Sequence, residues 1–126
     1  MNQQEIFDKV ATHLIAQGKQ SLGYWRQTEW SQPALGCAYR GDGGTMCAAG
    51  CLIPDDEYDP VFEGMPWNCI AQEVPSFANA SVEVHNLIGS LQTVHDDEKY
   101  WETPETLKEA LETVANRYSL SAAVLN

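Results

Sequence analysis

The chemistry open to this chain rests first on its cysteines and histidines. Cys37, Cys47, Cys51 and Cys69 follow a Cys-x9-Cys-x3-Cys-x17-Cys pattern, and His85 and His95 lie further along. Structural zinc sites take thiolate and imidazole ligands from close pairs two to four residues apart. Only Cys47 and Cys51 approach that spacing. Joined by Cys37 and by His85 or His95 they would make a four-ligand set, but the long first interval and the apolar run around Cys51 count against it. A thiol nucleophile needs a base in reach and a group that orients the base. His95-Asp96 is the only candidate pair for Cys37, Cys47 or Cys51. Adjacent side chains on a helix diverge by about 100°, so Asp96 is not expected to hold the His95 ring. No cysteine-protease motif surrounds any thiol. The expectation is therefore no catalytic residue, no metal, Cys47 and Cys51 buried and reduced, and His95 at a helix end.

Two further patterns come close to known sites and fail. Asp55, Glu57 and Asp59 alternate like the opening of a calcium loop, but Pro60 stands where such a loop needs glycine and no acidic residue closes it at the twelfth position. Gly41-Asp42-Gly43-Gly44 has the glycines of a phosphate loop without its Lys-Ser/Thr, and Asp42 would repel the anion. No cofactor is expected. Arg40 stands out because Lys and Arg number 7 against 18 Asp and Glu. It is expected to pair with Asp55, Glu63 or Asp96 and to fix a hairpin against the helices.

The elements that must position these residues are mostly helical. Asn2 and Glu5 form a capping box ahead of a helix whose apolar face is Ile6, Phe7, Val10, Ala11, Leu14 and Ile15, ended by Gly18; His13 falls at its edge. Residues 19–36 show no sustained period and read as an irregular connection, with Tyr24, Trp25 and Trp30 wrapped onto the core or lining a cleft. Gly41, Gly43 and Gly44 supply positive φ for a tight hairpin of Cys37–Arg40 against Thr45–Cys47. Cys47–Ile53 reads as a short helix stopped by Pro54. One or two helical turns follow Pro66. A long helix runs from a cap at Ser81 or Asn79 to about Asp97, and a last one starts with Thr103 as cap and Pro104 at its first position. The expected fold is mostly α (α+β): one globular domain over residues 1–126, helical, with a two-stranded β-hairpin leading into a short helix.

At 126 residues the chain is long enough for one core. Its net charge of −11 disfavours nucleic acid and anionic membrane as direct partners, since both need basic patches. A partner with a basic surface is favoured instead. The N-terminal residues lack a basic segment followed by an apolar one, so a cytoplasmic location is expected.

The segment His13–Ser21, the Cys37-Ala38-Tyr39-Arg40 run, Cys47–Asp55 with Cys-Ala-Ala-Gly-Cys-Leu-Ile-Pro-Asp, then Tyr58, Glu63-Gly64 and Leu91-Gln92-Thr93-Val94-His95-Asp96 together resemble an uncharacterised family of small proteins encoded by tailed phages and prophages. The resemblance implies a phage context, a bacterial host cytoplasm and a shared fold, without an activity. With the charge, it leads to the expectation of a small acidic protein that binds and modulates a host or phage protein, with anti-defence inhibition or nucleic-acid mimicry as candidate outcomes. The expected binding residues are Arg40, Asp55, Asp56, Glu57, Asp59, Gln92, His95, Asp96, Asp97 and Glu98. The alternative is a small enzyme or ligand-binding protein with a cleft around Tyr39, Arg40, Gln92 and His95.

Overall fold

The computed structural model describes residues 1–26 and 28–126. Helix α1, Gln3–Gln17, begins in the expected capping box: Asn2 Oδ1 accepts from the Glu5 amide at 2.8 Å and Glu5 Oε1 accepts from the Asn2 amide at 3.0 Å. Gly18 ends it at φ 68°, a left-handed conformation that favours glycine. Helix α3, Val82–Asp96, is capped by the Ser81 hydroxyl, and helix α4, Pro104–Arg117, by Thr103 with Pro104 in its first turn. A single turn of helix, α2, covers Trp67–Ile70. α1 packs against both α3 and α4, and these two pack against each other. Phe7, Leu14, Leu87, Leu91 and Leu111 are fully buried where they meet. Each such side chain stabilises the fold by about 1.5–3 kcal/mol relative to exposure. Leu125 is also buried, and Gln4 exchanges two hydrogen bonds with the backbone of Ser121, so the C-terminal tail docks on the helices.

The fold is mostly α with one small antiparallel hairpin, but the hairpin is not where the glycines pointed. Its strands are β1, Leu22–Trp25, and β2, Ala34–Cys37, paired Leu22 to Cys37 through Trp25 to Ala34. Both lie at or within the stretch read as irregular. Four-residue strands of Gly, Tyr, Trp, Ala and Leu carry too little alternation to register as strands. The Gly41–Gly44 segment still turns, through Gly43 and Gly44 at φ 71° and 76°, and Gly41 donates to the Thr45 carbonyl at 2.9 Å. Gly41 itself has a negative φ of −100°. Ala38, Tyr39 and Arg40 do not pair with 45–47 because their amides are taken elsewhere. Ala38 donates to the Ser21 carbonyl at 3.0 Å, while Tyr39 and Arg40 donate to the two oxygens of Glu63 at 2.8 and 3.1 Å.

Residues 42–80 are built largely of short 3-10 turns, including Gly50–Leu52 where a short helix was expected. Turns of this kind leave backbone groups unpaired, and side chains satisfy them. Glu57 accepts from the Ser76 amide and hydroxyl at 2.8 and 2.6 Å, and Asp59 accepts from the Val61 amide at 2.9 Å. Arg40 is the hub: Nη2 donates to the Ile53 carbonyl at 2.7 Å and pairs with Asp55 at 3.2 Å, and the guanidinium lies 5.1 Å from the Tyr58 ring centre. Trp25 is half-buried and Tyr24, 69% exposed, lines a cleft with it, whereas Trp30 is 88% exposed, which corrects for Trp30 the expectation that it wraps onto the core or lines a cleft.

The Arg40 hub separates geometry from charge. Asp55 is 97% exposed, so its ion pair contributes little. Asp55→Ala should leave the melting temperature nearly unchanged. Arg40→Lys keeps the charge but loses the planar fork, and thermal unfolding should show a loss of about 1.5–3 kcal/mol, the scale of a hydrogen bond to a charged group.

Candidate functional site

Along α3, His85, Gly89, Gln92, Thr93 and Asp96 recur at helical spacing on one face, and this face floors a cleft. The opposite walls are Trp25 and Cys37–Tyr39 from the hairpin region, Gly64–Asn68 from the turn into α2, and Tyr118 after α4. The cleft holds about 800 Å³. Trp25 enters its wall because two glycines give it room: a Cβ on Gly36 or Gly64 would meet the indole at 3.0 or 2.5 Å. The Trp25 Nε1–H is buried with no protein partner among the described residues.

The polar groups of the floor are fixed by one another. Gln92 accepts from the Ala49 amide at 2.9 Å and donates to Asp96 Oδ1 at 3.0 Å. Trp67 Nε1 donates to His85 Nδ1 at 3.1 Å, so the neutral His85 ring carries its proton on Nε2. Tyr118 donates to the Asn86 carbonyl at 3.0 Å and therefore accepts from the Ser90 hydroxyl at 2.7 Å.

His95 lies behind this floor, fully buried. Its Nε2 is 2.8 Å from the Ser21 amide, which can only donate. The proton of the neutral ring is then on Nδ1, directed at Asp96 Oδ1 2.8 Å away. Asp96 therefore does hold the His95 ring, against expectation. It is the last residue of α3, where the side chain can turn back along the helix end.

Cys37 Sγ, a His95 nitrogen and an Asp96 oxygen lie within 4.8 Å of one another. The group is neither a thiol–imidazole dyad nor a fitting metal site. Both His95 nitrogens are committed, so the ring cannot take a proton from Cys37 without losing Ser21. A metal on Nδ1 would need a proton on Nε2, where Ser21 already donates. The thiol is not activated either. Burial pushes Cys37 up to about 12, and the neighbouring Asp96 adds to this by charge and hydrogen bonding. Burial likewise raises Cys47 and Cys51 to about 12. Cys47 is buried as expected and Cys51 only partly so, its thiol donating to the Ala48 carbonyl at 3.2 Å.

Of the residues expected to bind, Gln92 and Asp96 line the cleft, and so does Tyr39 from the alternative reading. His95 is behind it. Arg40 instead lines a second cleft of about 760 Å³ with Tyr24, Tyr58, Val61 and Glu63. Glu57 and Asp59 hold turns, Asp55 pairs with Arg40 from an exposed position, Asp97 accepts from the Lys99 amide at 3.1 Å, and Asp56 and Glu98 are exposed. Trp25 lines the cleft, one of the two places expected for it, whereas Cys37, Trp67, Gly89, Ser90 and Tyr118 were not singled out as lining one. The α3 stripe of small and polar residues opposite Leu87, Leu91 and Val94 was the signal that could have found part of it. Comparison of the chain with family models, curated proteins and solved structures returns no match.

The thiols give a pH prediction with a definite sign. A group raised in the fold from about 9 to about 12 stabilises the protein fully below 9, and that contribution is lost as pH rises through 12. Unfolding followed between pH 8 and 12 should show stability falling above 9. At pH 8, iodoacetamide should alkylate exposed Cys69 first and reach Cys47 only on unfolding, which mass mapping of the labelled sites checks.

Proposed function

We propose that the chain is a phage-type acidic binding protein that engages a basic surface on a host or phage protein and alters its activity, by covering a surface that otherwise takes nucleic acid. The observation that carries this reading is uncompensated negative charge. The chain has a net charge of −11, and among the described residues only Arg40 and Lys99 pair with carboxylates, beside the His95–Asp96 contact. Glu105, Glu109 and Glu112 recur on the exposed side of α4, with Glu98 and Glu102 just before it. Such a field steers a basic partner and competes with phosphate. No described helix is long and apolar enough to cross a membrane.

A second reading, a ligand-binding protein, is supported by the 800 Å³ cleft with its fixed polar floor.

Capture of partners from host lysate tests the first reading. Binding should weaken steeply between low and high salt, as screening shortens the reach of these charges to about 8 Å at physiological ionic strength. Lysine at positions 98, 105, 109 and 112 should weaken it further with the helical circular dichroism intact. Capture that is equal at both salts and in the charge-reversed protein would count against the reading.

A further inference from the structure

We propose that the cleft binds a monocation on an apolar stem, the chemistry of an arginine or lysine side chain, with Asp96 as its counter-ion. The inference rests on the ligand-binding reading and names the ligand. Asp96 is the only residue of fixed charge in the lining, and no lysine or arginine reaches it. Its one ion-pair neighbour among the described residues, His95, accepts from the Ser21 amide through Nε2 and so meets Asp96 as a hydrogen-bond donor rather than as a counter-cation. Oδ1 is occupied by His95 and Gln92, which holds the group in place, and the side chain is still 45% exposed. The cleft runs from Asp96 along α3 past Trp25 in the facing wall to Trp67 and Tyr118, which bond to His85 and Asn86 at its far end, and these surfaces accept an alkyl stem. An anionic ligand would meet Asp96 with nothing to offset it.

Gly89 is an independent sign that the space is kept open. It sits in the middle of α3, where glycine is less favourable than alanine by about 0.8–1.0 kcal/mol, and no atom lies within 4 Å of where its Cβ would be. No packing contact requires glycine here. Any larger side chain would project into the cleft.

The test uses butylguanidinium and its neutral isostere butylurea, titrated into the whole protein and followed by the amide and indole signals of the cleft residues in nuclear magnetic resonance. Butylguanidinium should saturate in the millimolar range and bind about tenfold more tightly than butylurea, a difference of about 1.4 kcal/mol. Asp96→Asn should abolish that preference. Gly89→Leu should fill the cleft and cost about tenfold in affinity while the helical spectrum is kept, so lost binding is not lost folding. An acetyl-arginine amide that binds more tightly than butylguanidinium assigns the site to a side chain of a partner protein, and equal binding assigns it to a free small cation. Equal binding of butylurea overturns the cation assignment while leaving a ligand cleft. No saturable shift with either probe, or undiminished binding by Gly89→Leu, overturns the cleft itself.

Discussion

A buried imidazole with both nitrogens hydrogen-bonded ties the chain together. His95 takes the Ser21 amide on one nitrogen and offers a proton to Asp96 from the other, while its carbonyl accepts from Gln20 at 3.0 Å and from Trp101 Nε1 at 2.9 Å. The end of α3, the approach to β1 and the turn before α4 therefore meet at one residue. Leaving any of these buried groups unpaired costs about 1–3 kcal/mol. The ring is also edge-on to Trp101 at 5.7 Å, so its orientation is fixed by packing as well as by hydrogen bonds.

Glu63 does for the irregular half what His95 does for the helical one. Its carboxylate receives the amides of Tyr39 and Arg40 and the Tyr58 hydroxyl, joining the chain after β2 to a turn more than twenty residues later. A charged acceptor among neutral donors is stronger than a neutral one. Between these two anchors, the segment crossing from β2 to α2 can lack regular structure and still hold the wall of a cleft in place.

The helices were legible because their signals are local. Asn2 with Glu5, Ser81, and Thr103 with Pro104 each mark an end within four residues, and Leu87, Leu91 and Val94 mark a face. The hairpin was misplaced for the converse reason. The glycines at 41–44 do turn the chain, but which amides pair across that turn is decided by Glu63 and Ser21, both distant in sequence. The pairing of Arg40 with Asp55 was readable from charge scarcity. That Arg40 and Gln92 face different clefts was not, since nothing local to either reports which side of Trp25 it occupies.

Trp25, Gly64 and Met65 border both clefts. The indole, set against Gly36 and Gly64, is a partition one ring thick between an acidic chamber and one containing Arg40. Its two faces therefore border different sets of charges, Asp96 on one side and Arg26, Glu29, Arg40 and Glu63 on the other. Indole emission shifts in colour with the field across the ring, so a change of occupancy on either side alters the light from Trp25.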